Sequence, residues 1–271
     1  MAVINTNVSA LFAQNAMTKN SRAQGTAMEQ LSTGSRINSA KDDAAGLAIG
    51  QSMTTQVRGL NQAVRNLNDG VNLLQTAEGA LSETSNMLQR MRELAVQASN
   101  GTYSASQRGY LDTEFQALAA QITKVSTQTK WNDQSLLTTA TNFVFQAGKD
   151  NLQTITATIN DMGAIGLAIT AVISVGTVAG AALSLTALDT AIGTVNAQRA
   201  SIGAGINQMT YAVDNLSNVS SNASASRSSI MDTDYATAST QLSKTQIIQQ
   251  AATAMLAQAN QQPQAVLSLL K

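Results

Sequence analysis

Residues 57–100, VRGLNQAVRNLNDGVNLLQTAEGALSETSNMLQRMRELAVQASN, place leucine at every seventh position: Leu60, Leu67, Leu74, Leu81 and Leu88. Val57, Val64 and Val71 sit three residues ahead of the first three leucines. This alternating spacing belongs to a helix that faces another helix along its length. Beyond Val71 the equivalent positions turn polar, at Glu78, Ser85 and Arg92. The apolar seam moves to Leu74, Ala77, Leu81, Leu88, Met91, Ala95 and Ala98, a stammer that alters the local supercoil. Gly59, Gly70 and Gly79 lie inside the rod. Each costs about 1 kcal/mol against alanine, which predicts close approach of a neighbour at these points.

The rod is expected to start near Ala44 and to stop at the glycine signal Asn100-Gly101. Upstream, Ile4, Val8, Leu11, Met17, Met28 and Leu31 form a broken helical stripe that would be marginal in isolation. Ser32-Thr33-Gly34-Ser35 ends it, and residues 38–43 read as an extended spoke before the next helix start. Downstream, a second helix begins near Ser104 or Ser106, carries Leu111, Phe115, Leu118, Ile122 and Val125, and stops around Trp131-Asn132-Asp133. Phe143, Phe145 and the alternating Thr154, Ile155, Thr156, Thr158 and Ile159 predict one β-hairpin, with Gly148-Lys149-Asp150-Asn151 as its turn. Residues 160–182 are weakly patterned. The helical period returns at Leu185, Leu188, Ile192 and Val195, then at Ile202, Ile206, Met209, Val213 and Leu216, with Arg199 as its only break. Ile248, Ala252, Met255, Ala259, Val266 and Leu269 continue the theme in the tail, where Pro263 introduces a kink. The fold class is therefore all-α: long coiled-coil-like helices formed by both chain termini, with a small β-hairpin region in the middle.

Composition narrows the function. Of 271 residues, 12% are charged, well below the usual quarter, and 3% are aromatic. Net charge is zero and no basic run exists, so nothing favours nucleic acid. Without cysteine there is no disulfide framework, and without histidine the commonest general base is missing. Asp42-Asp43 and Asp232/Asp234 are the paired carboxylates, but no Ca²⁺-loop pattern, phosphate loop or nucleophile elbow accompanies them. A local role is the better reading, with Asp42 or Asp43 at a helix start against the helix dipole. No enzyme and no cofactor is expected. The N-terminus lacks a signal-peptide pattern. Residues 162–188 carry no charge and include the GxxxG of Gly176 and Gly180. They hold few large aliphatics and no flanking basic cluster, so a small-residue connector is the better reading than a membrane span.

Both chain ends closely resemble bacterial flagellin. At the front the motifs are Ile4-Asn5-Thr6-Asn7-Val8-Ser9-Ala10-Leu11, the run from Gln30 to Leu47 and the run from Leu88 to Gln97; at the back, Asn215-Leu216 and the run from Ser228 to Lys271. The resemblance implies a filament-core domain built from residues 1–42 and 230–271, disordered in the free subunit and folding on assembly. It implies a helical rod domain from residues 43–140 and 185–229, with residues 141–184 as hairpin and short variable connector. The outer variable domains of larger flagellins look absent. Residues 203–207, Gly-Ala-Gly-Ile-Asn, depart from the more usual pattern.

The implied function is a structural subunit that self-assembles into the flagellar filament for swimming, exported through the flagellar channel and extracellular. Its implied partners are copies of itself, an export chaperone at the C-terminal tail, and hook-associated and cap proteins. A segment from Gln89 to Gln97 resembles the part of flagellins that Toll-like receptor 5 recognises. The implied contacts are Gln89, Arg90 and Leu94, joined by Glu114 from the second helix. Arg90 and Leu94 are four residues apart and share a helix face, so an exposed arginine beside an apolar side chain is expected. Two alternatives stand: a hook-filament junction protein of the same export system, and a membrane-anchored helical receptor using residues 162–188.

Overall fold

The computed structural model describes residues 6–164, 166–169 and 173–268, with backbone alone for 262–268. Five helices dominate: α1 (Val8–Thr33), α2 (Ala44–Ser99), α3 (Ala105–Gln128), α4 (Val178–Met231) and α5 (Tyr235–Ser268). Four short strands lie between α3 and α4: β1 (Lys130–Trp131), β2 (Gln134–Ser135), β3 (Thr141–Gln146) and β4 (Thr154–Ile159). Two compact units result, Met1–Val57 with Asn222–Lys271, and Arg58–Ser221. Ile4, Val266 and Leu269 of the expected apolar pattern lie outside the described side chains; α5 continues through Pro263.

In the unit Arg58–Ser221 the shifted seam is real. Leu74, Ala77, Leu81, Leu88, Met91, Ala95 and Ala98 are all completely buried. They share one core with Phe115 and Ile122 of α3 and with Ala181, Leu188, Ala191, Val195, Ile202 and Met209 of α4. Serine caps α3: the Ser104 hydroxyl accepts from Gln107 N–H, and the Gln107 side chain accepts from Ser104 N–H. The helix ends at Gln128, earlier than Trp131. Trp131, Asn132 and Asp133 instead enter a two-residue β-hairpin, with Asn132 and Asp133 at φ 47° and 63°. Short side chains that bond locally tolerate this left-handed backbone, so the same residues that stop a helix also build the turn.

Strands β3 and β4 pair antiparallel from Thr141↔Ile159 to Gln146↔Thr154. Phe143, Phe145, Ile155 and Ala157 pack on the core, and Ile159 is within it, while Val144 is exposed. Two of the three rod glycines receive this hairpin. A Cβ on Gly70 would sit 3.0 Å from Phe145 and Met209, and one on Gly59 would sit 3.0 Å from Lys149. Gly79 has open space around it, so the expected close neighbour is absent there.

The weakly patterned connector is held by polar side chains rather than by an apolar stripe. Buried Gln198 donates to Thr158 O (2.9 Å) and accepts from Asn160. Asp112 accepts from Ser174 Oγ and Val175 N–H, and Gln116 donates to Ile173 O. Thr177 then caps α4 through Gly180 N–H, starting the helix seven residues before Leu185. Residues 162–188 are thus not one helix: the described residues before Val178 are turns and loop. Among the described residues, α4 is the helix long and apolar enough to cross a bilayer, and its Ala181, Leu188 and Val195 are buried in the unit's core. At the unusual 203–207 segment, Gly205 lies against Leu74, with a Cβ position only 3.3 Å from Leu74 Cδ1.

The unit containing both chain ends is built differently. Asn7 accepts from Ala10 N–H to cap α1, and Gly34, at φ 70°, closes it by donating to Gln30 O. That left-handed backbone favours glycine, and a Cβ would also meet the Tyr235 hydroxyl at 3.1 Å. The exit is clasped by a short bridge: Arg36 N–H donates to Met231 O (2.7 Å) and Thr233 N–H donates to Gly34 O (2.9 Å). Helices α1 and α5 run antiparallel, since Asn20 Nδ2 donates to Thr245 O and Asn7 Nδ2 to Ala259 O, both at 2.7 Å. Among the described residues their buried side chains are few and small or polar: Asn20, Ala27, Ala238 and Thr245.

The seam should dominate stability in the larger unit. Leu88→Ala is expected to cost about 2–5 kcal/mol. Gly79→Ala, in open space, should gain about 0.5–1 kcal/mol, whereas Gly70→Ala should lose stability because Phe145 must give way. Denaturant unfolding followed by circular dichroism checks all three; stabilisation by Gly70→Ala would refute the close-packing argument.

Candidate interaction surface

Two surfaces stand out, one on α2 and α3 and one on the terminal helices. On the first, the core seam dictates what is left outside. With Met91, Leu94, Ala95 and Ala98 turned inward, the positions between them point to solvent: Gln89, Arg90, Arg92, Glu93, Val96 and Gln97 are exposed. Arg90 Nη1 meets Glu93 Oε2 at 3.0 Å, and its Nη2 meets Glu114 Oε1 of α3 at 2.9 Å. The hydrogen bond it donates to Glu114, then the one to Glu93, raises the guanidinium above its ordinary value, so the cluster keeps its cation at any ordinary pH. One cation between two carboxylates leaves this spot net negative. Beside it, Arg92 Nε pairs with Asp189 of α4 at 2.6 Å.

Of the four expected contact residues, Arg90 and Glu114 meet at the surface and Gln89 is exposed beside them in the chain. Leu94 does not join them. It is completely buried in the core. The four-residue spacing does put Arg90 and Leu94 on neighbouring faces, but Leu94 follows Met91 by three residues and so belongs to the seam. Arg90 lies at the seam's edge, where its long side chain reaches out to solvent. The apolar group exposed on this part of α2 is Val96, at 48%. The shifted seam itself carried that signal, because Val96 falls between the buried Ala95 and Ala98.

The two breaks in the heptad pattern meet each other inside the unit. Arg199 Nη2 lies 2.8 Å from Glu78 Oε1, and both side chains are about two-thirds covered. Glu78 Oε2 is buried without a hydrogen-bond partner. Neither residue alone signals this, since they are remote in sequence and each reads only as a polar interruption.

In the unit of the chain ends one member of each carboxylate pair caps a helix start and the other braces the turn beside it. Asp43 Oδ1 accepts from Gly46 N–H at 2.8 Å. Asp42 accepts from the Ser39 hydroxyl (2.9 Å) and from Ser39 and Asn38 N–H; the hydroxyl bond foremost holds its carboxyl below the ordinary 3.8. Asp234 begins α5 likewise, and the Thr237 hydroxyl foremost, then the Thr237 and Ala236 N–H groups, hold it below 3.8. Asp232 accepts from Ser228 Oγ. What these helices leave outside is apolar: Leu11, Phe12 and Met28 on α1, and Ile247, Ile248 and Met255 on α5 are all exposed. An open groove between α1 and α5 is lined by Asn7, Ala10, Leu11, Gln14, Gln249 and Leu256. An arrangement of this kind binds protein surfaces.

Profiles of known families match both ends of the chain. That of the bacterial flagellin N-terminal helical region covers residues 4–142, and that of the bacterial flagellin C-terminal helical region covers residues 185–270. Flagellin of Halalkalibacterium halodurans is 43% identical over 99% of this chain and 100% of its own length. Flagellin of Bacillus subtilis is 42% identical over 99% of each. Among solved structures, the crystal structure of Bacillus cereus flagellin superposes with a TM-score of 0.52 at 34% identity, covering 56% of this chain and 88% of that one.

The two arginine pairs should behave differently under mutation. Arg90→Ala removes only solvent-screened contacts and should leave the unfolding midpoint close to wild type. Arg199→Ala strands Glu78 in a mostly covered site and should cost about 1–2 kcal/mol. Equal loss in the two variants, measured by thermal unfolding, would contradict this ordering.

Proposed function

This chain belongs to the bacterial flagellin family, and from that premise we propose how its surfaces serve assembly, export and recognition. The subunit is a structural protein of the flagellar filament, the extracellular polymer that drives swimming, and it assembles with copies of itself. The observation that carries the proposed mechanism is the terminal pair of helices, which buries small and polar residues and leaves Leu11, Phe12, Ile247 and Met255 uncovered. Neighbouring copies cover these side chains in the polymer. Each contact is heterologous and does not close, which is how one surface patch generates a helical filament. Burying apolar area on docking offsets the ordering entropy of weak terminal helices.

In this reading residues 1–42 and 230–271 form the filament-core domain, residues 43–140 and 185–229 the helical rod domain, and residues 141–184 a hairpin and connector. The protein is not an enzyme. It leaves the cell through the flagellar channel, escorted by an export chaperone on residues 230–271, and meets hook-associated and cap proteins at the filament ends. Secreted monomer is recognised by Toll-like receptor 5 through Gln89, Arg90 and Glu114, with Leu94 holding the helix in place from below. The junction-protein alternative gains no support of its own, because the full-length relatives are flagellins.

Deletion of residues 230–271 should leave a soluble subunit that forms no filaments by electron microscopy; filaments from that variant would refute the assembly mechanism. For recognition, Arg90→Ala combined with Glu114→Ala should lower receptor-reporter activation by about tenfold or more, with an unchanged response counting against the surface.

Acid should loosen the turn that Asp42 braces and the helix start that Asp234 caps, and with them the polymer. Asp42 and Asp234 have folded pKa values below the reference 3.8. Their contribution is therefore complete above that reference and is lost as pH falls through the lowered values. Sedimentation from about pH 5 to about pH 2 should show dissociation setting in below the reference, and Asp42→Asn with Asp234→Asn should flatten the response.

A further inference from the structure

The chain has no cysteine, so its softest groups toward two-electron oxidants are the ten methionine thioethers. Their exposure is sharply divided. Met91, Met162 and Met209 are buried, and Met17, Met53, Met87 and Met231 are half-buried. Met28 and Met255 are exposed, at 55% and 65%. One stands on α1 and the other on α5, the two helices that pair antiparallel. Met255 shares a stripe with Ile248, seven residues earlier, which is also exposed. Met28 lies one residue from buried Ala27, at the margin of the α1–α5 seam.

We propose that Met28 and Met255 are oxidant-sensitive modification sites that block assembly of the free subunit when converted to sulfoxides. The inference rests on the reading that neighbouring copies cover the exposed terminal side chains. With a peroxide as oxidant, the thioether sulfur donates an electron pair to the distal peroxide oxygen. The O–O bond breaks, an S–O bond forms, and for hydrogen peroxide the remaining oxygen leaves as water after proton transfer. Sulfur is oxidised by two electrons and peroxide is reduced by two. The product is a polar, chiral group with a strong acceptor oxygen where an unbranched apolar side chain stood. Covering that oxygen without a donor opposes docking. Once covered in the polymer, the same sulfurs are shielded, so the vulnerability belongs to the subunit before it is incorporated.

The experiment treats purified full-length subunit with hydrogen peroxide, maps sulfoxides by peptide mass spectrometry, and measures the critical concentration for seeded polymerisation. Met28 and Met255 should gain oxygen ahead of the shielded Met91, Met162 and Met209, and the critical concentration should rise by about tenfold or more. Methionine sulfoxide reductase should restore it. The variant carrying Met28→Leu and Met255→Leu should polymerise after peroxide as it does before. Three results would overturn the proposal: an unchanged critical concentration at full oxidation of both sites, equal peroxide sensitivity of the leucine variant, or preferential oxidation of the shielded methionines. If the leucine variant does not assemble, the reductase arm decides: no recovery on restoring the thioethers refutes the proposal. Failure of untreated wild type to polymerise would instead count against the assembly reading itself.

Discussion

The buried seam of α2 is the constraint on which the larger unit depends. From Leu74 to Ala98 its apolar positions have no solvent contact, and they meet stripes from α3 and α4 that are equally buried. Each fully buried leucine contributes about 1.5–3 kcal/mol relative to exposure, and the alanines let the helices approach closely. Once that seam is set, the orientation of every other residue on α2 follows. Gln89, Arg90, Glu93 and Val96 face solvent because Met91, Leu94 and Ala95 cannot.

Polar residues then supply what apolar packing leaves unspecified. Arg199 and Glu78 meet across α4 and α2 where both heptad patterns fail. Gln198, one residue earlier, turns inward to hold the end of β4 and the connector. Asp112 and Gln116 of α3 hold the connector's other end. These bonds are individually modest, but a buried donor or acceptor tolerates only a partner, so they select one path for a segment that has no strong stripe of its own.

The terminal unit follows the opposite rule. Its two helices bury asparagine, threonine and alanine and expose leucine, phenylalanine, isoleucine and methionine. A pair built this way is weakly held by itself and leaves apolar area open to partners. Asp43 and Asp234 give α2 and α5 defined helix starts, and Asp42 braces the turn before α2, without adding apolar area. In a filament subunit that division of labour separates a self-sufficient unit from one that other copies complete.

The sequence by itself determined the long helices, the seam with its shift after Val71, the hairpin, and the family to which the chain belongs, because each rests on local periodicity or on contiguous motifs. Gln89, Arg90 and Glu114 entered through the family resemblance, and the fold leaves all three exposed. Tertiary structure alone decided the rest. Leu94 is buried although it shares a turn with Arg90, because the register of α2 against the core, rather than i to i+4 adjacency, sets exposure. Trp131 to Asp133 form a hairpin after an earlier helix end, because residues that terminate a helix equally suit a left-handed turn. Gly70 is tightly approached and Gly79 is not, and no local feature distinguishes them. Glu78 finds Arg199 across more than a hundred residues, a pairing fixed only when α2 and α4 lie against one core.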